Sequence, residues 1–333
     1  MNGLDPNLPD TPLDEKKFHS IKSALINKKG LSYHDFKKTL KPNYRKVAFD
    51  IIAGWLMLAA CIIAGLFISK IETTWIKTIA SLTDAVLFGF IINYLSNFFH
   101  EAAHYNIAAD KYRNDLIANC FLGILQAQHI KHYRLVHWQH HVNLGTPEDT
   151  EHSYFDALDF RFFIESLTGI RALRIFLFRT ENNFIMGETK NERTKKIQML
   201  IAGILFHSVA LVFFIFTKHY WLVCIWVLGF GTFFPFFGSL RQLLEHRSDG
   251  ANKEIDYNKT IHGRVNRIFS ESSFSAAFGS AGFNRHLLHH LEPQISYTNL
   301  SGLEEFLLQT SIAPYIKKQK TSYTKAFNKL LGK

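Results

Sequence analysis

His100-Glu101-Ala102-Ala103-His104 follows directly on the apolar run from Ile79 to Phe99. Residues four apart on a helix share a face, so both imidazoles point the same way at the rim of a membrane span. That is half of a metal site. The other half recurs in His137-Trp138-Gln139-His140-His141 and in His286-Leu287-Leu288-His289-His290, both reading H-x-x-H-H. In each, the first and last His share a helical face and the middle His lies three from the first. Imidazole nitrogen suits iron, zinc, copper and nickel. Eight histidines in three clusters exceed what one four-coordinate ion can use, so two ions are the economical reading.

Working outward, the 333 residues carry 31 Phe and a net charge of +10, with much of the Phe in long runs nearly free of charge. This distribution predicts an all-α polytopic membrane protein with four transmembrane helices in two hairpins and a cytoplasmic helical cap that carries the metal site. The basic residues sit in tails and loops without a glycine-rich loop or aromatic interleaving, which argues against a nucleic-acid surface. They mark instead a cytoplasmic face in contact with anionic lipid. Cys61, Cys120 and Cys224 are widely separated and suggest neither a disulfide framework nor a zinc knuckle.

Residues 1–47 form a cytoplasmic N-terminal segment with ten Lys or Arg between Lys16 and Lys46 and no signal peptide. The spans are expected at about 47–69, 78–99, 198–217 and 220–240, within a membrane domain over residues 48–310. A basic tail over 311–333 follows. Leu116 to Gln128 is too short to span and is expected as a buried or interfacial helix. Asp84 is expected to pack or snorkel, and His207, inside the third span, to hydrogen-bond a neighbouring helix. Phe160 to Arg179 interleaves apolar residues, Ile175 and Phe178 among them, with arginines, as in a helix lying in the headgroup plane. Both hairpins have short links, so an even number of crossings separates the second cluster from the third, and all three share the side on which both termini lie.

His246, in Arg241-Gln242-Leu243-Leu244-Glu245-His246, ends the fourth span at a depth like that of His100, and is a ninth candidate ligand. Metal-bound imidazoles donate their other ring N–H to a carboxylate or carbonyl. Asp149 and Glu151, in the turn after His141, are candidates for that role, with Asn284 before the third cluster as another. Glu292-Pro293 should end the helix of the third cluster.

The boxes H-E-A-A-H, H-W-Q-H-H and H-L-L-H-H, the segment R-Q-L-L-E-H and the run N-R-H-L-L-H-H-L-E-P resemble those of the integral-membrane fatty acid desaturase family, over roughly residues 48 to 310. The resemblance implies a non-haem diiron centre held by His100, His104, His137, His140, His141, His286, His289 and His290, with His246 added. O2 is the implied co-substrate, and a lipid or fatty acyl chain in the membrane the implied substrate. No catalytic side chain beyond the metal ligands is needed. Three residues within the first box are similar to acyl-lipid and sphingolipid desaturases and carotenoid ketolases, whereas acyl-CoA enzymes have four. No H-P-G-G motif of a fused cytochrome is present, so electrons are expected from a separate ferredoxin, cytochrome b5 or similar donor. A lipid hydroxylase or ketolase on the same scaffold is the alternative. A membrane metal transporter or sensor would place ionisable residues along the spans, and a bis-His haem protein would use single histidines on facing helices.

Overall fold

The computed structural model of the chain describes residues 15–171, 173, 174, 177 and 189–333. Two short helices, α1 (Glu15–Ile21) and α2 (Tyr33–Thr39), lead into α3 (Tyr44–Ile68) and α4 (Thr74–Ala103). There follow α5 (Lys111–Ile117), α6 (Ile130–Asn143), α7 (Phe160–Leu167) and α8 (Lys190–Phe216). Next comes α9 (Tyr220–His246). The chain finishes with α10 (Ser273–Phe278), α11 (His286–Leu291), α12 (Leu300–Leu307), α13 (Ala313–Lys318) and α14 (Tyr323–Leu330). A parallel pair of two-residue strands, Ile268–Phe269 beside Lys320–Thr321, is the one sheet among the described residues.

The fold is thus all-α, and α3, α4, α8 and α9 are long and apolar enough to cross a membrane. α3 and α4 form one hairpin and α8 and α9 another, joined by links of a few residues. All but the first of these helices outrun the apolar windows on the polar side. α4 continues to Ala103, α8 begins at Lys190 and α9 ends at His246. Thr189 and Glu192 start α8 with a capping box, each side chain bonding the other's backbone N–H. These extensions place His100, His104 and His246 past the apolar stretches of the spans.

Buried residues of α3, α4, α8 and α9 share one apolar core, in which Phe88 of α4 packs on Trp226 of α9 with ring centroids 5.0 Å apart. The α4–α9 approach is unusually close. A side chain at Gly89 would meet the Gly229 carbonyl oxygen at 2.6 Å and Phe233 Cβ at 2.5 Å. At this level α9 widens into a π turn over Gly229–Phe233, immediately before Pro235. The proline lacks an N–H and its ring crowds the preceding turn, so the ladder opens there by one residue. One extra residue rotates everything beyond it by about 100°, which sets the face on which His246 emerges.

Leu116 to Gln128 returns along the bundle as the end of α5, a second π turn over Ala118–Gly123 and a last short turn. It is bonded to the spans by Trp55 Nε1 donating to the Phe121 carbonyl at 3.1 Å. Asp84 is buried beside Cys61, in a packing position rather than a snorkelling one. α7 begins the stretch expected in the headgroup plane, with Phe160 exposed and Phe162 buried. Arg171 departs from that expectation: it is 1% exposed and donates to the Ser153 carbonyl and to Asp156. Ile175, Phe178 and Arg179 of the same stretch lie outside the described residues.

The polar side is a cap in which both ends of the chain take part. Phe18, Leu25 and Tyr33 from the N-terminal helices bury against Leu287, Leu288 and Leu291 of α11 and Leu303 and Phe306 of α12. Leu330 of α14 buries with Leu243 and Leu244 of α9.

Replacing Gly89 by Val should overpack the α4–α9 contact and destabilise the protein by about 1–3 kcal/mol. Gly231→Ala, where a Cβ meets nothing within 4 Å, should have little effect. Thermal unfolding of the purified protein in detergent measures both.

Candidate metal centre

Four helices deliver nine histidines to the boundary between bundle and cap. α4 ends in His100 and His104, α6 carries His137, His140 and His141, α9 ends in His246, and α11 carries His286, His289 and His290. All nine are buried, none more than 4% exposed. Arg134 fixes α6 against the end of α4, its guanidinium donating to the carbonyls of Ala103 at 2.8 Å and Ala102 at 3.1 Å while pairing with Asp115. That one contact satisfies orphan carbonyls of α4 and sets the distance between the first two boxes. Arg267 does the same for α9, donating to the carbonyls of Leu244 and Arg247.

The nine rings divide into two groups able to hold a metal ion: His100, His104, His137, His141 and His289 in one, and His140, His246, His286 and His290 in the other. Helical spacing explains the division. The outer pair of every box, four residues apart, stays together: 100 with 104, 137 with 141, 286 with 290. The middle His of each H-x-x-H-H box, rotated off that face, crosses to the other group. Box two therefore gives its pair to the first group and box three gives its pair to the second. The first box serves only the first group, and His246 is the residue that brings the second to four.

Within each group the Nε2 atoms face one another. His137 Nε2 lies 3.0 Å from both His104 Nε2 and His141 Nε2, and His141 Nε2 is 3.3 Å from His289 Nε2. In the second group His286 Nε2 lies 2.9 Å from His246 Nε2 and 3.1 Å from His290 Nε2. One ring nitrogen cannot hydrogen-bond well to two others of its own kind, since each offers a single proton or a single lone pair. Imidazoles at about 2.1 Å from a shared ion would hold their nitrogens at about 3 Å, so the spacing fits metal ligation. His100 adds to the fit: both of its nitrogens are buried with no hydrogen-bond partner among the described residues, a costly arrangement for a ring without an ion.

The outer nitrogens are held from behind. His140 Nδ1 lies 2.8 Å from Asp149 Oδ1, and His137 Nδ1 3.3 Å from Glu151 Oε1. A carboxylate only accepts, so these rings carry their proton on Nδ1 and turn the Nε2 lone pair inward. His246 Nδ1 is 3.0 Å from the Val265 carbonyl. Asp149 and Glu151 thus stand where the sequence suggests. Asn284 does not take the part suggested for it: its backbone N–H bonds Gly279, and among the described residues its side chain bonds no histidine ring. His129 and His132 belong to neither group. His207 bonds the Leu125 carbonyl at 3.1 Å and receives Trp226 Nε1 at 3.1 Å, well accounted for by helix packing.

Several partners were not foreseen. Tyr154 donates its hydroxyl to Asp149, and Gln242 donates to Glu151. Gln242 stands four residues before His246, a spacing that could have flagged it; Tyr154 has no such signal. Glu15, from α1, lies 3.3 Å from His141 Nδ1 and 3.1 Å from His290 Nδ1.

Burial drives the rings toward their neutral form. It holds His104, His286, His289 and His290 well below the ordinary imidazole range, and takes His137 down to about 3 although Glu151 pulls the other way. For His140 burial acts in the same direction, but Asp149 and Glu151 outweigh it and push the ring up to about 9. Neutral rings with free lone pairs are what a metal ion requires.

A model of the family described as fatty acid desaturase matches residues 77–318. A comparison with curated proteins finds no match.

Metal uptake should strengthen as pH rises, for two reasons of the same sign. The depressed rings stay neutral and open to an ion below 6.5, and take up a competing proton only as pH falls toward about 3 for His137. The raised ring of His140 carries a proton until about 9, which an ion must displace. Metal content after equilibrium dialysis at stepped pH is expected to climb as pH approaches about 9, where His140 gives up its proton, and to be lost on acidification only well below 6.5, as pH nears about 3. A flat profile would contradict an all-histidine donor set.

Proposed function

Since the chain belongs to the fatty acid desaturase family, we propose that it is an O2-dependent desaturase of lipid-borne or free fatty acyl chains, with one iron in each of the two histidine groups. The observation that carries this reading is the pairing of two adjacent, buried, all-histidine donor sets at the end of an apolar bundle. The two sets touch: the rings of His141 and His290, one from each, lie 4.3 Å apart.

Irons bound there supply the oxidising power, with O2 as co-substrate, to remove hydrogen from an unactivated methylene pair. The protein's residues position and insulate. Glu151, Asp149 and the Val265 carbonyl hold the ring orientations of His137, His140 and His246. Phe283 packs against His100 at 4.4 Å and His286 at 5.0 Å, an apolar wall that keeps water from the rings. His100 and His104 stand at the end of α4, just past its apolar stretch, within reach of an acyl chain that lies along the spans. No side chain in the site is arranged as a nucleophile, and none is needed for hydrogen removal.

The dense Lys and Arg of the cap side support a cytoplasmic orientation for it by the positive-inside rule. The same charge would attract an acidic electron carrier, a ferredoxin or cytochrome b5, supplied as a separate protein.

The test is expression in a host of simple lipid composition with fatty acids compared by mass spectrometry. A new double bond, absent from His140→Ala, is the expected product. A hydroxyl or ketone at the same carbon would move the reaction to the hydroxylase reading while keeping the site. The His140→Ala protein should be inserted in membranes and depleted of iron. His207→Ala should keep its full iron content; iron loss there would place the centre deeper in the bundle than the two groups lie.

A further inference from the structure

We propose that Glu15, on the N-terminal helix ahead of the family domain, is a positioning residue that orients one ligand of each metal ion at once. The inference rests on the two-ion reading above. Family similarity begins at residue 77, and the sequence places residues 1–47 apart from the chemistry. The structure brings Glu15 back. Its Oε1 lies 3.3 Å from Nδ1 of His141, in the first group, and 3.1 Å from Nδ1 of His290, in the second.

Both contacts are to the outward nitrogens. The Nε2 atoms of the same two rings face inward, His141 toward His137 and His289, and His290 toward His286. A carboxylate oxygen can only accept, so both rings must carry their proton on Nδ1 and leave the Nε2 lone pair for an ion. Asp149 and Glu151 each hydrogen-bond a ring of one group only. Glu15 serves both, and so joins the orientation of the two sites through a single oxygen.

The contact is not a chance approach of a loose end. α1 is pinned beside α11 by Phe18, fully buried against Leu287 and Leu291. Lys22, just past α1, and Lys37 of α2 both reach Glu292 at 2.6 Å, at the end of the helix that bears His290. The carboxylate itself is 22% exposed, so its replacement removes no core packing. A third ion ligated by Glu15, His141 and His290 would need ring nitrogens on both sides of each imidazole, and the hydrogen-bonded reading needs none of this.

The experiment uses full-length protein in membranes or detergent, loaded with iron, in wild-type, Glu15→Gln and Glu15→Ala forms. Iron per chain, the rate of extraction by an excess of chelator, and the Mössbauer spectrum are read. Glu15→Ala should release iron at least about tenfold faster, as expected when an outer partner of a ligating His is lost, and should shift the quadrupole splitting of both iron sites. Glu15→Gln, which keeps an acceptor oxygen without its charge, should fall between. Equal limited proteolysis of the metal-free forms establishes that α1 stays docked.

Wild-type release rates and spectra in Glu15→Ala would overturn the proposal while leaving the diiron reading intact. A change confined to one iron, or the loss of a third metal from a wild type holding three, would overturn it too. A wild-type protein that binds no iron would remove the centre itself, and this role with it.

Discussion

Nine imidazoles cannot be crowded into a dry interior unless their nitrogens are given something to bind. The rest of the structure answers to that constraint. Inward, the Nε2 atoms converge on two points; outward, five rings have their Nδ1 held by Glu151, Asp149, Glu15 or the Val265 carbonyl. The carboxylates are themselves anchored, Asp149 by Tyr154 and Glu151 by Gln242. The anchoring groups come from α1, the turn after α6, α9 and the segment at Val265, so the site ties these to the rings of α6, α9 and α11. The membrane helices set the depth of the site, and the cap sets its angles.

Much of this was legible in the sequence because it depends on helical period. The i, i+4 pairs mark shared faces, and they remain paired in the structure. His246 was readable from its distance past the last apolar run, and Asp149 and Glu151 from their nearness to His141. The limits are equally physical. Which middle histidine crosses to which group depends on how α6 and α11 face each other, and periodicity says nothing about that. The π turn at Gly229–Phe233 changes the phase of α9 ahead of His246; Pro235 hints at a disturbance, but only the packing of Gly89 against Gly229 shows its form. Asn284 was attractive by position alone, and among the described residues its side chain bonds no histidine ring. Glu15, 126 and 275 residues from the rings it meets, left no pattern to read.

The charge distribution has a related lesson. Lysines of the N-terminal segment look, in sequence, like a generic basic flank for anionic lipid. Two of them, Lys22 and Lys37, instead close on the buried Glu292. Because that carboxylate is shielded, removing the lysines would leave a buried charge uncompensated, which costs more than losing an exposed surface pair. Arg171 likewise turns from the expected membrane surface into the protein. Positive charge near a span is therefore divided here between lipid contact and the internal clamps of the cap.

The distance along the chain between Glu15 and His290 bears on biogenesis. Residues near the N-terminus leave the ribosome first, yet α1 has nothing to dock on until α11 has been made, after all four apolar helices. The two histidine groups are likewise complete only once α11 has been made, because they draw on residues from 100 to 290. The first described helix to be translated thus becomes one of the last pieces seated, because the helices it packs on are made after all four apolar ones.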